Sequence, residues 1–240
     1  MTRGPAPTPT KILELRGSRL VKTRQKQGEP FGIYAACTAN AYAIQAVLQQ
    51  ALRDGTVALI ESTASQVNLS GGYTGLTPHL FRRQVLQMAM QVGLPSDRII
   101  VGGDHIGPHP WRHASADHAL QQASALALAC VQAGYRKMHL DTTTPCGNEA
   151  RQPDGSLPLE LISRRTADLC RVAEQTASQA GLAPPYYVIG SDVPPPGGDM
   201  AEKAVPVTDA EQIGETVSAC QRGLKRNRPL SCWTGRSSTS

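Results

Sequence analysis

The chain has 240 residues, 40% of them apolar and 4% aromatic, which is length enough for one large or two small domains with a core of Leu, Val, Ile and Ala. Its net charge of +5 is concentrated at the ends: residues 1–28 hold seven Lys/Arg against one acid, residues 222–240 hold five Lys/Arg and no acid, and the stretch between carries an acidic excess. That distribution excludes a basic nucleic-acid-binding face on the body of the chain, and no apolar run approaches the ~20 residues that span a bilayer.

The first ten residues are rich in Pro and Thr, and residues 11–27 read as a basic helix interrupted by Gly17. The N-terminus has no apolar segment of the secretory type, so the chain reads as cytoplasmic. Its six cysteines form no C-x-x-C pair and read as reduced thiols. A rhythm begins at Gly32. Residues 32–37 predict a strand, and Thr38 is the expected cap of a helix over 39–53, which Asp54-Gly55 ends. Residues 56–61 predict a second strand with Glu61 at its end. A glycine-rich loop from Ser62 to Thr77 follows, with Gln66, Asn68 and Gly72 in it. Thr77-Pro78 then opens a helix that stops at Gly93.

The third strand, over 98–103, ends in Gly102-Gly103-Asp104-His105-Ile106-Gly107-Pro108. A carboxylate can move a proton, an imidazole can move a proton or bind a metal, and flanking glycines would let a ligand approach the backbone. The plainer alternative is a turn with a capping Asp and a surface His. An Ala/Leu-rich helix over 115–132 leads to a fourth strand, Lys137–Asp141, whose period of two puts His139 and Asp141 on one side. A helix over 158–179, a fifth strand over 186–192 ending in Asp192, a Pro/Gly loop and a helix over 208–221 capped by Thr208 complete the pattern.

Strict strand–helix alternation predicts an α/β fold with parallel strands. Glu61, Asp104, His105, His139, Asp141 and Asp192 all fall near the C-terminal ends of strands, the rim on which (β/α)8 barrels place their chemistry. A doubly wound sheet gathers ligands at strand ends too. The TIM-barrel reading is preferred because no strand runs into a G-x-G-x-x-G turn. Five strand–helix units are visible, out of the eight of a full barrel. His109, His113 and His118 read as surface residues, and Cys37 and Cys146 lack a neighbouring His base in the sequence.

VNLSGGYTG at 67–75, GGDHIGPHPW at 102–111, KMHLD at 137–141 and YVIGSDVPPPGG at 187–198 occur in that order. Together they resemble the non-catalytic (Z-type) subunit family of tagatose-bisphosphate aldolase, over about residues 30–223. The resemblance implies a TIM barrel and a role in bacterial galactitol, N-acetylgalactosamine or tagatose catabolism. The chain would bind and stabilise the catalytic, zinc-dependent class II aldolase subunit. The broader family includes metal-dependent sugar-phosphate 4-epimerases, which makes D-tagatose 6-phosphate 4-epimerisation the alternative activity. Some members carry an older kinase label, for which this sequence offers no ATP-binding motif. By the same resemblance Asp104 is the candidate catalytic residue and His105 the candidate ligand of a divalent metal such as zinc. Glu61, Gln66, Asn68, Gly72, His139 and Asp141 are candidates to meet the sugar phosphate. Each has a plain structural alternative, such as an ion pair for Glu61 and a satisfied pair for His139 and Asp141.

The expected organisation is a basic extension over 1–28, a partial barrel over 29–223 and an unstructured tail over 224–240. The family's chains are considerably longer, so the tail is expected to be a truncation or frameshift product. An incomplete barrel could also be a non-functional fragment.

Overall fold

A computed structural model describes residues 26–29, 32–153, 155–189 and 210–226. The expected N-terminal helix up to residue 25, Asp192, the loop at 193–198, the Thr208 cap and the tail beyond Arg226 lie outside the described residues. Strands and helices alternate in the order β1 (Ala35–Cys37), α1 (Ala41–Asp54), β2 (Ala58–Thr63), α2 (Pro78–Val92), β3 (Ile99–Ile106), α3 (Ala116–Gln132), β4 (Lys137–Leu140), α4 (Leu159–Gln179), β5 (Tyr186–Ile189) and α5 (Ala210–Arg226).

The five strands form one parallel sheet in the order β1-β2-β3-β4-β5. A doubly wound sheet reverses its order at a switch point. A parallel sheet that keeps strictly to chain order has the winding of a (β/α)8 barrel. The chain is therefore an α/β protein with five strand–helix units of the barrel type among the described residues, where β1 and β5 are the outer strands and the sheet is not closed.

The chain divides into two compact units. One takes Met1–Ile106, Ala129–His139 and Pro185–Val188; the other takes Gly107–Leu128, Leu140–Pro184 and Ile189–Ser240. The first unit holds most of the sheet with α1 and α2. Ile44 and Leu48 of α1, Phe81 and Val85 of α2, Ile60 of β2 and Met138 of β4 are all fully buried in its core. Each such side chain contributes about 1.5–3 kcal/mol by leaving water. Arg98, buried just before β3, donates to the carbonyls of Ala51 and Thr56 and so closes the C-terminal end of α1, where a cation is favoured.

The cap of α1 is Asn40, not the expected Thr38: the Asn40 side chain accepts from the N–H groups of Tyr42 and Ala43 at 3.0 and 3.1 Å. Thr38 Oγ1 instead accepts from the Asn40 N–H at 3.1 Å. A short amide at the first turn outcompetes a residue two places earlier because only it reaches the free N–H groups. Thr77 caps α2 as expected, with Pro78 in the first turn, and Gly55 and Gly93 end α1 and α2 with left-handed backbones. The expected end of β3 at Gly103 is too early, because pairing with β2 continues to Thr63–Asp104 and the strand to Ile106.

In the second unit, Thr142 Oγ1 donates to the Ile162 carbonyl and meets Thr166 Oγ1, which ties the loop after β4 to α4. Arg165 of α4 forms a buried ion pair with Glu149. Where α4 meets α5, Ser163 Oγ donates to the Ala219 carbonyl at 2.6 Å, and Gly223 leaves no room for a Cβ against Ser163. α5 continues to Arg226, five residues beyond the helix end expected at 221.

Candidate functional site

Register across the first unit builds the site. Cys37 of β1 is opposite Glu61 of β2, and Glu61 is opposite Gly102 of β3. With no side chain at Gly102, the Glu61 carboxylate crosses β3 to reach β4. Lys137 Nζ donates to Glu61 Oε2 at 2.9 Å and lies 2.7 Å from Oε1. Two residues further along each strand come Asp104 and His139, on the same face by the period of two. His139 Nδ1 is 2.8 Å from Asp104 Oδ1.

His105 should point to the opposite face. It does not, because its φ is +48, the one positive φ among the described non-glycine residues. That left-handed backbone costs roughly 1–2 kcal/mol and turns the ring back beside His139, with ring centroids 4.7 Å apart. His105 Nε2 lies 3.9 Å from Asp104 Oδ2. Two successive residues thus serve one site, and strain at such a position is a mark of function.

The glycines of this segment make room for protein, not for a ligand as expected. A Cβ at Gly102 would lie 2.8 Å from Glu61 Oε1, and one at Gly103 would lie 2.7 Å from Ile106 Cγ1. Within the second unit, a Cβ at Gly107 would collide with the Asp141 carbonyl. Close approach of neighbouring backbone and side chains is what these positions require.

The glycine-rich loop also turns inward on itself. Asn68 Oδ1 accepts from the N–H groups of Ser70 and Gly72, and its Nδ2 donates to the Ala64 carbonyl. Gly72, at φ +55, has the carbonyls of Ser65 and Gln66 where a Cβ would be. Gln66 Oε1 accepts from the Thr63 N–H. The amides of Gly71, Tyr73, Thr74 and Leu76 bond within the loop as well. These bonds account for Asn68 and Gly72 as builders of the loop. Asp141 belongs to the second unit, where its Oδ1 accepts from the Thr143 N–H and Oγ1.

Burial works against the charged form of Asp104, but the His139 and Cys37 hydrogen bonds and the charges of His105 and His139 outweigh it and hold the carboxyl well below the usual range. An ionised Asp104 can only accept, so His139 Nδ1 carries the shared proton. The other ring nitrogen, Nε2, is buried with no hydrogen-bond partner. Burial raises the Glu61 carboxyl, and Lys137 only partly offsets that. Lys137 is not among the site residues expected from the sequence, where Cys37 is read only as a thiol without a neighbouring His base. Lys137 was visible in principle, since it shares a strand face with His139 two residues on; Cys37 reaches the site only through strand pairing. His113 and His118 are exposed, as expected.

Asp104, His105 and His139 each offer one ligand atom, and these atoms all lie within 4.8 Å of one another. Two imidazoles and a carboxylate suit a borderline divalent ion. A histidine oriented by a carboxylate through one nitrogen, with the other left bare, is the arrangement in which imidazole binds metal. The residues therefore fit a metal centre.

Residues 19–235 match the family described as D-tagatose-1,6-bisphosphate aldolase subunit GatZ/KbaZ-like. The chain belongs to this family. Its GatZ/KbaZ-like character extends beyond the 30–223 expected from motifs, and similar proteins carry different names. A D-tagatose 6-phosphate 4-epimerase of Agrobacterium fabrum is 40% identical over 203 residues, 85% of this chain and 44% of the relative. A D-tagatose-1,6-bisphosphate aldolase subunit GatZ of Salmonella dublin is 39% identical over 204 residues, 85% of this chain and 47% of the relative. A crystal structure titled as a probable tagatose 6 phosphate kinase from Sinorhizobium meliloti superposes with a TM-score of 0.70 at 36% identity, covering 82% of this chain and 45% of that one. The GatZ/KbaZ-like chain thus spans somewhat less than half the length of these relatives.

Proposed function

We propose that this chain serves as the non-catalytic subunit of a class II D-tagatose-1,6-bisphosphate aldolase, in bacterial catabolism of galactitol, N-acetylgalactosamine or tagatose. The observation that carries this reading is the family match across residues 19–235, with relatives bearing the subunit name at 39–40% identity. The partner is the catalytic aldolase subunit. The location is the cytoplasm, because phosphorylated sugars are charged and do not cross hydrocarbon; among the described residues no helix is long and apolar enough to cross a membrane.

The test adds this chain to a catalytic class II aldolase subunit and follows cleavage of tagatose 1,6-bisphosphate over hours. A higher or longer-lived activity, with none from this chain alone, is the expected outcome. Identical progress curves with and without the chain would overturn it.

The second reading is D-tagatose 6-phosphate 4-epimerisation, favoured by the site itself and by the Agrobacterium relative. In that reading His105 and His139, with Asp104 beside them, would hold a divalent ion such as zinc, which would supply Lewis acidity toward a sugar carbonyl. Asp104, kept ionised by its hydrogen bonds, is the group that takes the proton from a substrate hydroxyl. His139 fixes the carboxylate, and the Glu61–Lys137 pair ties β4 to β2 across β3. Turnover of tagatose 6-phosphate by the chain alone, lost in Asp104→Asn, would replace the first reading with this one.

A further inference from the structure

Glu61 and Lys137 lie one layer from the Asp104–His139 hydrogen bond, toward the N-terminal ends of the strands. Glu61 comes two residues before Thr63, whose register partner is Asp104, and its own partner Gly102 comes two before Asp104. Lys137 comes two before His139 on β4. By the period of two, these residues share one face of the sheet. One tie runs from β2 to β4 across β3, with Lys137 Nζ 2.9 Å from Glu61 Oε2 and 2.7 Å from Oε1. Gly102 lets it cross, since a Cβ there would lie 2.8 Å from Glu61 Oε1 and 3.1 Å from the Lys137 carbonyl oxygen. The other tie joins His139 Nδ1 to Asp104 Oδ1 at 2.8 Å. Glu61 is 2% exposed, and a buried ion pair adds little net stability over apolar side chains of the same size; its best-attested use is to specify register. β4 spans only Lys137–Leu140. A slip of one residue would bring the buried Met138 to the face of Asp104 and take His139 off it. The same slip would leave the Glu61 carboxylate buried without its cation.

We propose that Glu61 and Lys137 are positioning residues: their pair locks the register of β4 against β2 and β3, and so holds His139 Nδ1 on the Asp104 carboxylate. His139 Nε2, buried and without a hydrogen-bond partner, is thereby kept for a ligand. This rests on the Asp104–His105–His139 site described above and deepens it. The pair acts through His139, not on the ligand, so its role is the same for a metal ion and for a sugar hydroxyl.

The experiment uses the whole purified chain with 15N-labelled histidine. Two quantities are read: solvent exchange of the His139 Nδ1–H proton by NMR, assigned by its loss in His139→Gln, and zinc affinity by calorimetry. Glu61→Met/Lys137→Met removes both charges and keeps the bulk, whereas Glu61→Lys/Lys137→Glu reverses the tie; circular dichroism and urea unfolding check the fold of each. The apolar pair is expected to unfold at the parent's urea midpoint or above it, yet to show Nδ1–H exchange about tenfold faster and zinc binding about tenfold weaker, the usual loss when a ligand's support is removed. The reversed pair is expected to return both quantities toward the parent values. A folded apolar pair with the parent's exchange and affinity overturns the inference, because the ion pair is then packing alone. A folded parent with no protected His139 Nδ1–H also overturns it, since there is no bond to position. A parent with a protected Nδ1–H that binds no zinc overturns the metal-centre reading instead, and the exchange rates then decide the role of the pair. Should the apolar pair fail to fold, Glu61→Gln decides: faster Nδ1–H exchange supports the inference, and an unchanged rate overturns it.

Discussion

His105 joins backbone strain to chemistry in a single residue. Its left-handed φ of +48 is tolerated at a cost of roughly 1–2 kcal/mol, which the sheet and the buried Ile106 beyond it must hold in place. His105→Gly is therefore expected to keep the protein's stability or raise it by up to about 1 kcal/mol, while zinc affinity measured by calorimetry falls at least tenfold. A strongly destabilised variant would instead show that the ring is held for packing. Gly102 carries the opposite expectation. A methyl group there meets the buried Glu61 carboxylate at 2.8 Å, so Gly102→Ala should destabilise by about 1–3 kcal/mol in urea unfolding, as overpacked cores do. Both expectations concern residues whose identity was plain in the sequence and whose role was not. The run Gly102-Gly103-Asp104-His105 announced chemistry, but the glycines proved to accommodate Glu61 and Ile106, contacts made by residues far away along the chain or by a turn no periodicity reports.

At the scale of elements, caps and loop closures were largely legible. Gly55, Gly93 and Thr77-Pro78 act where they were expected, because capping needs only residues adjacent in sequence. Asn40 displaced Thr38 by reach alone, and Asn40→Ala should cost about 1 kcal/mol, against little change for Thr38→Ala; chemical denaturation of the two variants checks this. The Glu149–Arg165 pair was not legible, since it joins a loop to a helix 16 residues on. Burial raises the Glu149 carboxyl, and Arg165 with the Cys146 N–H more than reverses that, so its folded value lies below the ordinary one. The sign follows: the pair's stabilisation is present above the ordinary carboxylate range and disappears as pH falls through the lowered folded value. Glu149→Gln should lower stability by about 1.5–3 kcal/mol at neutral pH, and its melting temperature should converge with that of the parent at acidic pH. A difference that stays constant between pH 7 and pH 3 would show that the pair is not the cause.

At the scale of the whole molecule, strand order assembles the candidate metal ligands. Cys37, Glu61, Asp104, Lys137 and His139 come from four strands, β1 to β4, which the parallel sheet brings onto one face. An ion bound there by the folded chain and not by the unfolded one stabilises by about 2.7 kcal/mol at a hundredfold excess over Kd. Zinc should accordingly raise the melting temperature by several degrees, and a chelator should return it to the starting value; a melting curve indifferent to both would speak against the centre. Coupling of this kind belongs to the fold as a whole, because no single strand supplies more than two of the donors.

By itself the sequence determined the α/β class, the five strand–helix units, the helix stops and the family, since each depends on local periodicity or on motifs in linear order. It also singled out Asp104 and His105, which the structure groups with His139. Only the tertiary structure decided between barrel winding and a doubly wound sheet, because strand order is a matter of pairing between segments. Only it joined His139 to Asp104, tied Glu61 to Lys137, and folded Asn68 and Gly72 into their own loop. A hydrogen bond between strands depends on register, and register is set by the packing of the whole sheet rather than by either strand's own residues.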